Sequence, residues 1–325
     1  MRIVAGDAAG GHADAVQPPA FSPDGARLFS GDRAGWLIVR ERRDGASFQV
    51  VARLQVPPAG AYSTAQVRAV AWPSADLVAT HEHGAIRVRR ADDLAEVHAL
   101  PHVGTGTIAT GGGGAWLAAL GEAAVYVLGF PGLERRGHHW LARGGYEYFK
   151  TDTLAADPSG PRLAVGDDGG CDETAMGMRL RSGERRVTLI DAERGEIAGA
   201  IEAGNPVRQL VWDPWRGHVV AVTYGDVGIW SAAGELVRRF RPYETTHAVA
   251  LALSARWMAT AASHAYNRAT LDLWDPLTFE RLDSVPLERG VPPAWIVASP
   301  DGGTLLTPGL PRDGDFVIQA WSVAD

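Results

Sequence analysis

The chain has one cysteine, Cys171, and one lysine, Lys150, among 325 residues. A lone thiol forms no internal disulfide, and without a Cys-x-x-Cys pair there is no thiolate zinc site. A reducing compartment, the cytoplasm, fits that usage. Phe149 precedes Lys150, so the Gly-Lys-Ser/Thr loop that cradles phosphates is missing. Also missing are a Gly-x-Ser-x-Gly nucleophile elbow and a His-Glu-x-x-His zinc helix. Long hydrophobic runs are lacking too. The most apolar stretch, residues 248–262, is broken by Arg256 and is too short to span a bilayer. Residues 1–11 hold no apolar segment of the length a secretion signal needs, so a soluble protein is expected. Nor is there an excess of positive charge. The 31 Lys and Arg against 38 Asp and Glu leave a net charge of −7, which argues against duplex nucleic acid as a ligand. Paired arginines such as Arg42-Arg43 and Arg238-Arg239 are scattered and read as solvated strand edges.

What the chain does contain is a repeat: an apolar strand, a turn, a second apolar strand, a polar loop, then a third strand. The clearest copy runs Ala20-Phe21-Ser22-Pro23-Asp24-Gly25, then Arg27–Gly31, then Gly35–Arg40. The last copy runs Val297-Ala298-Ser299-Pro300-Asp301-Gly302, then Thr304–Thr307, then Phe316–Trp321. Pro-Asp-Gly turns for a physical reason: Pro fixes φ, Asp bonds its own backbone and Gly accepts positive φ. The closing residue of the third strand is a ruler: Arg40, Arg89, Leu128, Ile190, Trp230, Trp274 and Trp321. Successive differences are 49, 39, 62, 40, 44 and 47, so only one gap departs from a blade-length period of about 40–45 residues. Residues 167–186, polar and Gly-rich, account for it as an inserted loop or hairpin in the fourth unit.

Leu271-Asp272-Leu273-Trp274-Asp275 resembles the Trp-Asp ending of a WD-repeat blade, with near matches at Ile229-Trp230-Ser231 and Ala320-Trp321-Ser322. The Ser-Pro-Asp-Gly turns at Ser22 and Ser299 are similar to that family's inner hairpin, and the likeness runs along the whole chain. Four units lack the Trp, and the opening Gly-His pair is missing unless His247 represents it. The resemblance implies an all-β, seven-bladed propeller occupying residues 1–325 as one domain. It also implies that the N-terminal segment Arg2-Ile3-Val4-Ala5 supplies the outer strand of the last blade, leaving no open edge.

Such a fold implies a non-enzymatic scaffold or adaptor that binds another protein or peptide, with no cofactor. The Ala-, Gly- and Arg-rich composition suggests a GC-rich bacterial source, with the partner encoded nearby. Tyr and Arg on one loop face are the expected contacts, because they join apolar area to directional hydrogen bonds. The densest stretch holds Tyr146, Tyr148, Phe149 and Lys150, and the other loops add Tyr62, Tyr243, Tyr266, Arg33, Arg268 and Arg312. The insertion, with Asp167, Asp168, Cys171, Asp172 and Glu173, is a further contact candidate. The alternative is an enzyme, or a small-molecule or metal binder, using the central channel. Its best fragment is His81-Glu82-His83, whose imidazoles point the same way if the segment is extended. A polar loop between strands is the plainer expectation there. Most tryptophans should pack between blades, with Trp215, after Pro214 in a turn, the exposed one.

Overall fold

Short apolar runs cut by Gly, Pro and Asp become strands throughout the chain. The computed structural model describes all residues except 44–45, 59–65, 102, 104–105, 121–123, 141–153, 167–170, 175–176, 181–185, 206, 224–225, 244–247, 265–267, 288–292 and 312–313. For residues 139–140, 171–174, 177–180, 248–249, 263–264 and 268 only the backbone is described. Helix is confined, among the described residues, to one 3-10 turn at Gly112–Gly114.

The strands form seven four-stranded antiparallel sheets, a seven-bladed β-propeller. Blade one comprises Ala20–Phe21, Arg27–Gly31, Trp36–Arg42 and Phe48–Gln55; blade two comprises Val67–Ala71, Leu77–Glu82, Ala85–Arg90 and Glu96–Leu100. Blade three has Ile108–Gly111, Trp116–Leu120, Ala124–Gly129 and Arg135–Trp140. Blade four has Leu154–Ala156, Arg162–Gly166, Arg186–Asp191 and Glu196–Glu202. Blade five has Val207–Asp213, His218–Thr223, Val227–Ser231 and Leu236–Phe240; blade six has Ala248–Leu253, Met258–His264, Arg268–Trp274 and Arg281–Leu287. Blade seven joins Val297–Ala298, Thr304–Pro308 and Phe316–Ala324 to the N-terminal strand Arg2–His12. That strand pairs as expected, Ile3 opposite Val323 and Val4 opposite Ser322, and runs seven residues beyond the Ala5 expected from the sequence. All seven ruler residues fall in third strands, and the long gap is filled by a hairpin, Cys171–Thr174 with Gly177–Leu180.

The chain divides into two compact units. One holds Met1–His102 and Val249–Asp325, which carry blades one, two, six and seven; the other, Val103–Ala248, carries blades three, four and five. Within each unit the cores lie between consecutive blades. Phe29, Leu37 and Val39 of blade one meet Val67, Val70 and Trp72 around blade two. Ala250, Trp257 and Leu271 of blade six meet Ile3, Leu305 and Val323 of blade seven. In the other unit, Trp116 and Val125 meet Leu163 and Ile190, and Val187 and Leu189 meet Trp212 and Trp230.

Because neighbours cover both faces, second strands read as unbroken buried runs without alternation, as in Trp116–Leu120 and, after His218, residues 219–223. Alanines in those runs, such as Ala118, Ala164 and Ala259, let sheets approach closely. Fourth strands face water instead, and Leu236 and Val237 are more than half exposed. The two Pro-Asp-Gly turns repeat in detail. Gly25 and Gly302 sit at φ +72° and +67°, and their N–H groups donate to Ser22 and Ser299 carbonyls at 2.8 and 2.9 Å. Asp24 and Asp301 each accept from the neighbouring Ser hydroxyl and from a backbone N–H two residues on.

Candidate functional site

The ruler residue does more than mark spacing. In every blade it pairs across the ladder with a second-strand residue, and in blades one, six and seven its side chain bonds the residue two further along that strand. Trp274 Nε1 donates to Thr260 Oγ1 at 2.8 Å, and Trp321 Nε1 donates to Thr307 Oγ1 at 3.0 Å. Arg40 takes the same place in blade one, donating from Nη1 to Ser30 Oγ at 2.6 Å.

Blade one adds a constellation with catalytic looks. His12 Nε2 lies 2.9 Å from Ser30 Oγ and Nδ1 lies 3.1 Å from Asp32 Oδ2, the order of a nucleophile, a base and its orienter. All three residues are 0% exposed, so no substrate carbonyl reaches Ser30. Burial lowers the His12 pKa against the pull of Asp32, and Arg40 lowers it further. Burial works to raise Asp32, but hydrogen bonds from His12 and from the Trp36 and Ala13 N–H groups outweigh it and hold it low. Burial also lowers the Arg40 guanidinium to about 10. The group pins the end of the N-terminal strand to the turn of blade one, which is a structural task.

Blade two departs from this plan by inserting a carboxylate. Thr80 Oγ1 donates to Glu82 Oε1 at 2.6 Å, and Arg89 donates to the same oxygen from Nη2 at 2.9 Å and Nε at 3.3 Å. Arg89 Nη1 reaches the Leu94 carbonyl at 3.2 Å, while Arg87 Nη1 donates to Glu96 Oε2. Glu82 is 0% exposed, and its Oε2 has no hydrogen-bond partner; the buried Nε of Arg87 has none either. These residues form one wall of a cavity of about 410 Å³. The other wall is Leu54, Gln55, Val56, Pro57 and Pro58, leaving blade one toward blade two. His83 Nε2 donates to the Pro57 carbonyl at 3.1 Å and ties the walls together. Val56, Pro57 and Pro58 belong to a fourth-to-first connection and His83 to a second-to-third turn, loops of the face on which partner contacts were expected; the other lining residues lie on strands. A second cavity of about 450 Å³, lined by residues that include Asp7, Phe48 and Asp315, lies where blades seven and one adjoin.

The sequence-expected residues distribute unevenly. Arg33 is exposed on the turn of blade one. Tyr243 is 7% exposed and offers a partner little contact area, having joined the interior in place of the loop surface. Arg268 opens the third strand of blade six, with only its backbone described. Tyr62, Tyr146, Tyr148, Phe149, Lys150, Tyr266 and Arg312 lie outside the described residues. The His81-Glu82-His83 expectation needs correcting. His81 and Glu82 end a strand and are buried, whereas His83 turns at φ +52°, so the alternation that would aim both imidazoles alike is lost. No group of three or more His, Cys, Asp or Glu able to hold a metal occurs among the described residues. Trp215 is exposed as expected, and Trp72, Trp116, Trp212, Trp230, Trp257 and Trp295 pack into inter-blade cores.

What sequence reading missed is the pocket at Glu82, Arg87 and Arg89. The one available signal was Arg87, a charge two residues before the ruler position where the neighbouring blades carry Ile38 and Tyr126. No helix among the described residues is long and apolar enough to cross a membrane. No known protein-family model matches the chain, and no curated protein matches its sequence.

Proposed function

We propose that this protein is a non-enzymatic scaffold of the WD-repeat type that binds another protein or peptide through its loop face, in the cytoplasm. The observation that carries the reading is the cavity between blades one and two. It is lined on one side by Leu54, Val56, Pro57 and Pro58 and on the other by Glu82, His83, Arg87, Arg89 and Glu96. A cleft that sets an apolar wall against a charged one on a rigid sheet scaffold suits recognition of a partner. The reaction machinery that catalysis calls for, a reachable nucleophile beside its base, is not what Glu82 and Arg87 provide.

The test is affinity capture with the purified chain as bait, against proteins from its own source and from the genes beside its own. The expected result is one partner retained in fixed stoichiometry by the native chain and lost with Arg87→Ala or with Tyr146→Ala/Tyr148→Ala. Failure to retain any stoichiometric partner, or retention indifferent to all of these changes, overturns the reading.

A further inference from the structure

We infer that Arg33 and Arg68, where blades one and two adjoin, hold an acidic stretch of the partner through its carboxylates. This deepens the scaffold reading and rests on it. Three observations carry the assignment.

The first is position. Arg33 lies in the second-to-third turn of blade one, and Arg68 follows Val67, which opens the first strand of blade two. The Val67 N–H donates to the Asp32 carbonyl at 3.2 Å, so each arginine comes directly after one member of a hydrogen-bonded backbone pair. Both residues are exposed, on the face where fourth-to-first and second-to-third connections emerge. Arginine is long, and alternate side chains of an extended segment point the same way, so one short stretch can meet both guanidiniums. The second observation is the bulge that presents Arg68. Val67 pairs with Glu82 and Ala69 with His81, which leaves Arg68 outside the ladder, in solvent between two buried neighbours. A bulge re-aims a side chain out of the regular alternation. Blade five uses the same device: Val207 pairs with Thr223 and Gln209 with Val222, and Arg208 between them is exposed. The same residue type at the same point of two blades is what presentation of a charge predicts.

The third observation is charge. Acids outnumber bases in the chain, 38 to 31, and other exposed arginines of these two blades are matched, Arg27 by Asp92, Arg43 by Glu41 and Arg90 by Asp93. The Arg33 and Arg68 side chains have no partner among the described residues. Asp32, beside Arg33 in the chain, is buried and accepts from His12 and from the Ala13 and Trp36 N–H groups. A guanidinium meets a carboxylate with two parallel hydrogen bonds, so acidic side chains suit the pair. Nucleic acid suits it less. Its phosphates repeat along the strand and would meet the net charge of −7 beyond this pair, whereas a short acidic stretch ends before it does.

The probes are dye-labelled hexaglutamate, hexaglutamine and hexathymidylate, titrated with the native chain and followed by fluorescence anisotropy. Hexaglutamate should bind and weaken as salt is raised, and hexaglutamine should not bind. Arg33→Gln and Arg68→Gln should each weaken hexaglutamate binding about threefold, and the double variant about tenfold. Both side chains are exposed and without partners, so the variants should keep the native denaturation midpoint. Arg2→Gln removes an exposed arginine from the outer strand of blade seven and should leave binding unchanged. Hexaglutamate that does not bind, that binds the double variant as tightly, or that Arg2→Gln weakens as much would overturn the inference. So would hexathymidylate that binds more tightly than hexaglutamate and is lost with the double variant. Partner capture unchanged by the double variant sinks this assignment and spares the scaffold. Hexaglutamate binding of the expected pattern with no partner retained spares the site and sinks the scaffold.

Discussion

The two units solve one packing problem with different chemistry. In blades one, two, six and seven the second-strand position beside the ruler residue is Ser30, Thr80, Thr260 and Thr307, each buried. The third strand answers with Arg40, Arg89, Trp274 and Trp321. In blades three, four and five the same position is Ala119, Val165 and Ala221, opposite Leu128, Ile190 and Trp230. One unit is thus pinned by buried hydrogen bonds, the other by apolar contact alone at this position. Buried polar networks add directional restraint but leave a penalty when one member goes missing, while apolar pairs degrade gradually. The candidate site arises where the polar scheme is most elaborate, in blade two.

The largest expected effect tests that asymmetry. Arg89→Ala strands the Glu82 carboxylate in the interior and should cost about 3–5 kcal/mol in chemical denaturation. Thr80→Ala, Glu82→Leu and Arg89→Leu together give blade two the apolar character of blade three and should recover most of that loss. A triple variant less stable than Arg89→Ala alone would show that the two schemes are not interchangeable.

Next comes a difference within the Trp-bearing blades. Two residues before the ruler Trp, blades six and seven carry Asp272 and Gln319, but blade five carries Gly228. A Cβ on Gly228 would lie 1.9 Å from the Trp230 ring, which is buried and has no room to withdraw. Gly228→Ala should therefore cost about 1–3 kcal/mol, read as a lowered denaturation midpoint. Smaller again is Thr307→Val, which deletes the acceptor of Trp321 Nε1 and should cost about 1 kcal/mol. The corresponding change in the apolar unit, Val165→Thr, adds a hydroxyl where the ruler residue, Ile190, has no polar atom and should also destabilise. If Val165→Thr is neutral while Thr307→Val is costly, the contrast between units is softer than the hydrogen bonds imply.

These pins explain which parts of the molecule were legible in the sequence. The ruler positions, the Pro-Asp-Gly turns, the N-terminal outer strand and the inserted hairpin rest on local pattern and spacing, which a repeat displays many times over. The pairing of Arg40 with Ser30 and of Arg89 with Glu82 depends on strand register and was invisible as chemistry. The weaker alternative at His81 and His83 fails because one residue at φ +52° breaks the side-chain alternation that a shared metal site would have needed. The Pro57 wall of the cavity meets Glu82 only across two blades, a contact that no spacing rule anticipates. Tyr243 was judged by residue type alone, and type does not distinguish a buried tyrosine from an exposed one.

Acid should expose the remaining contrast. His12 is held neutral in the folded protein because burial lowers its pKa from 6.5. Above that value neither state carries the proton and the histidine contributes no pH dependence. As pH falls below 6.5 the unfolded chain binds the proton first, so the folded state loses stability until the folded pKa is passed. The loss belongs to the unit holding blade one, since His12 bonds Asp32 and Ser30 there. Hydrogen exchange, corrected for intrinsic rates, should therefore show that residues 2–40 lose more protection between about pH 7 and pH 5.5 than residues 103–140 do. His12→Gln cannot titrate, so it should abolish the excess even if it lowers protection at both pH values. Equal acid sensitivity of the two segments in the native chain, or an excess that survives His12→Gln, would mean that the buried imidazole is not what distinguishes them.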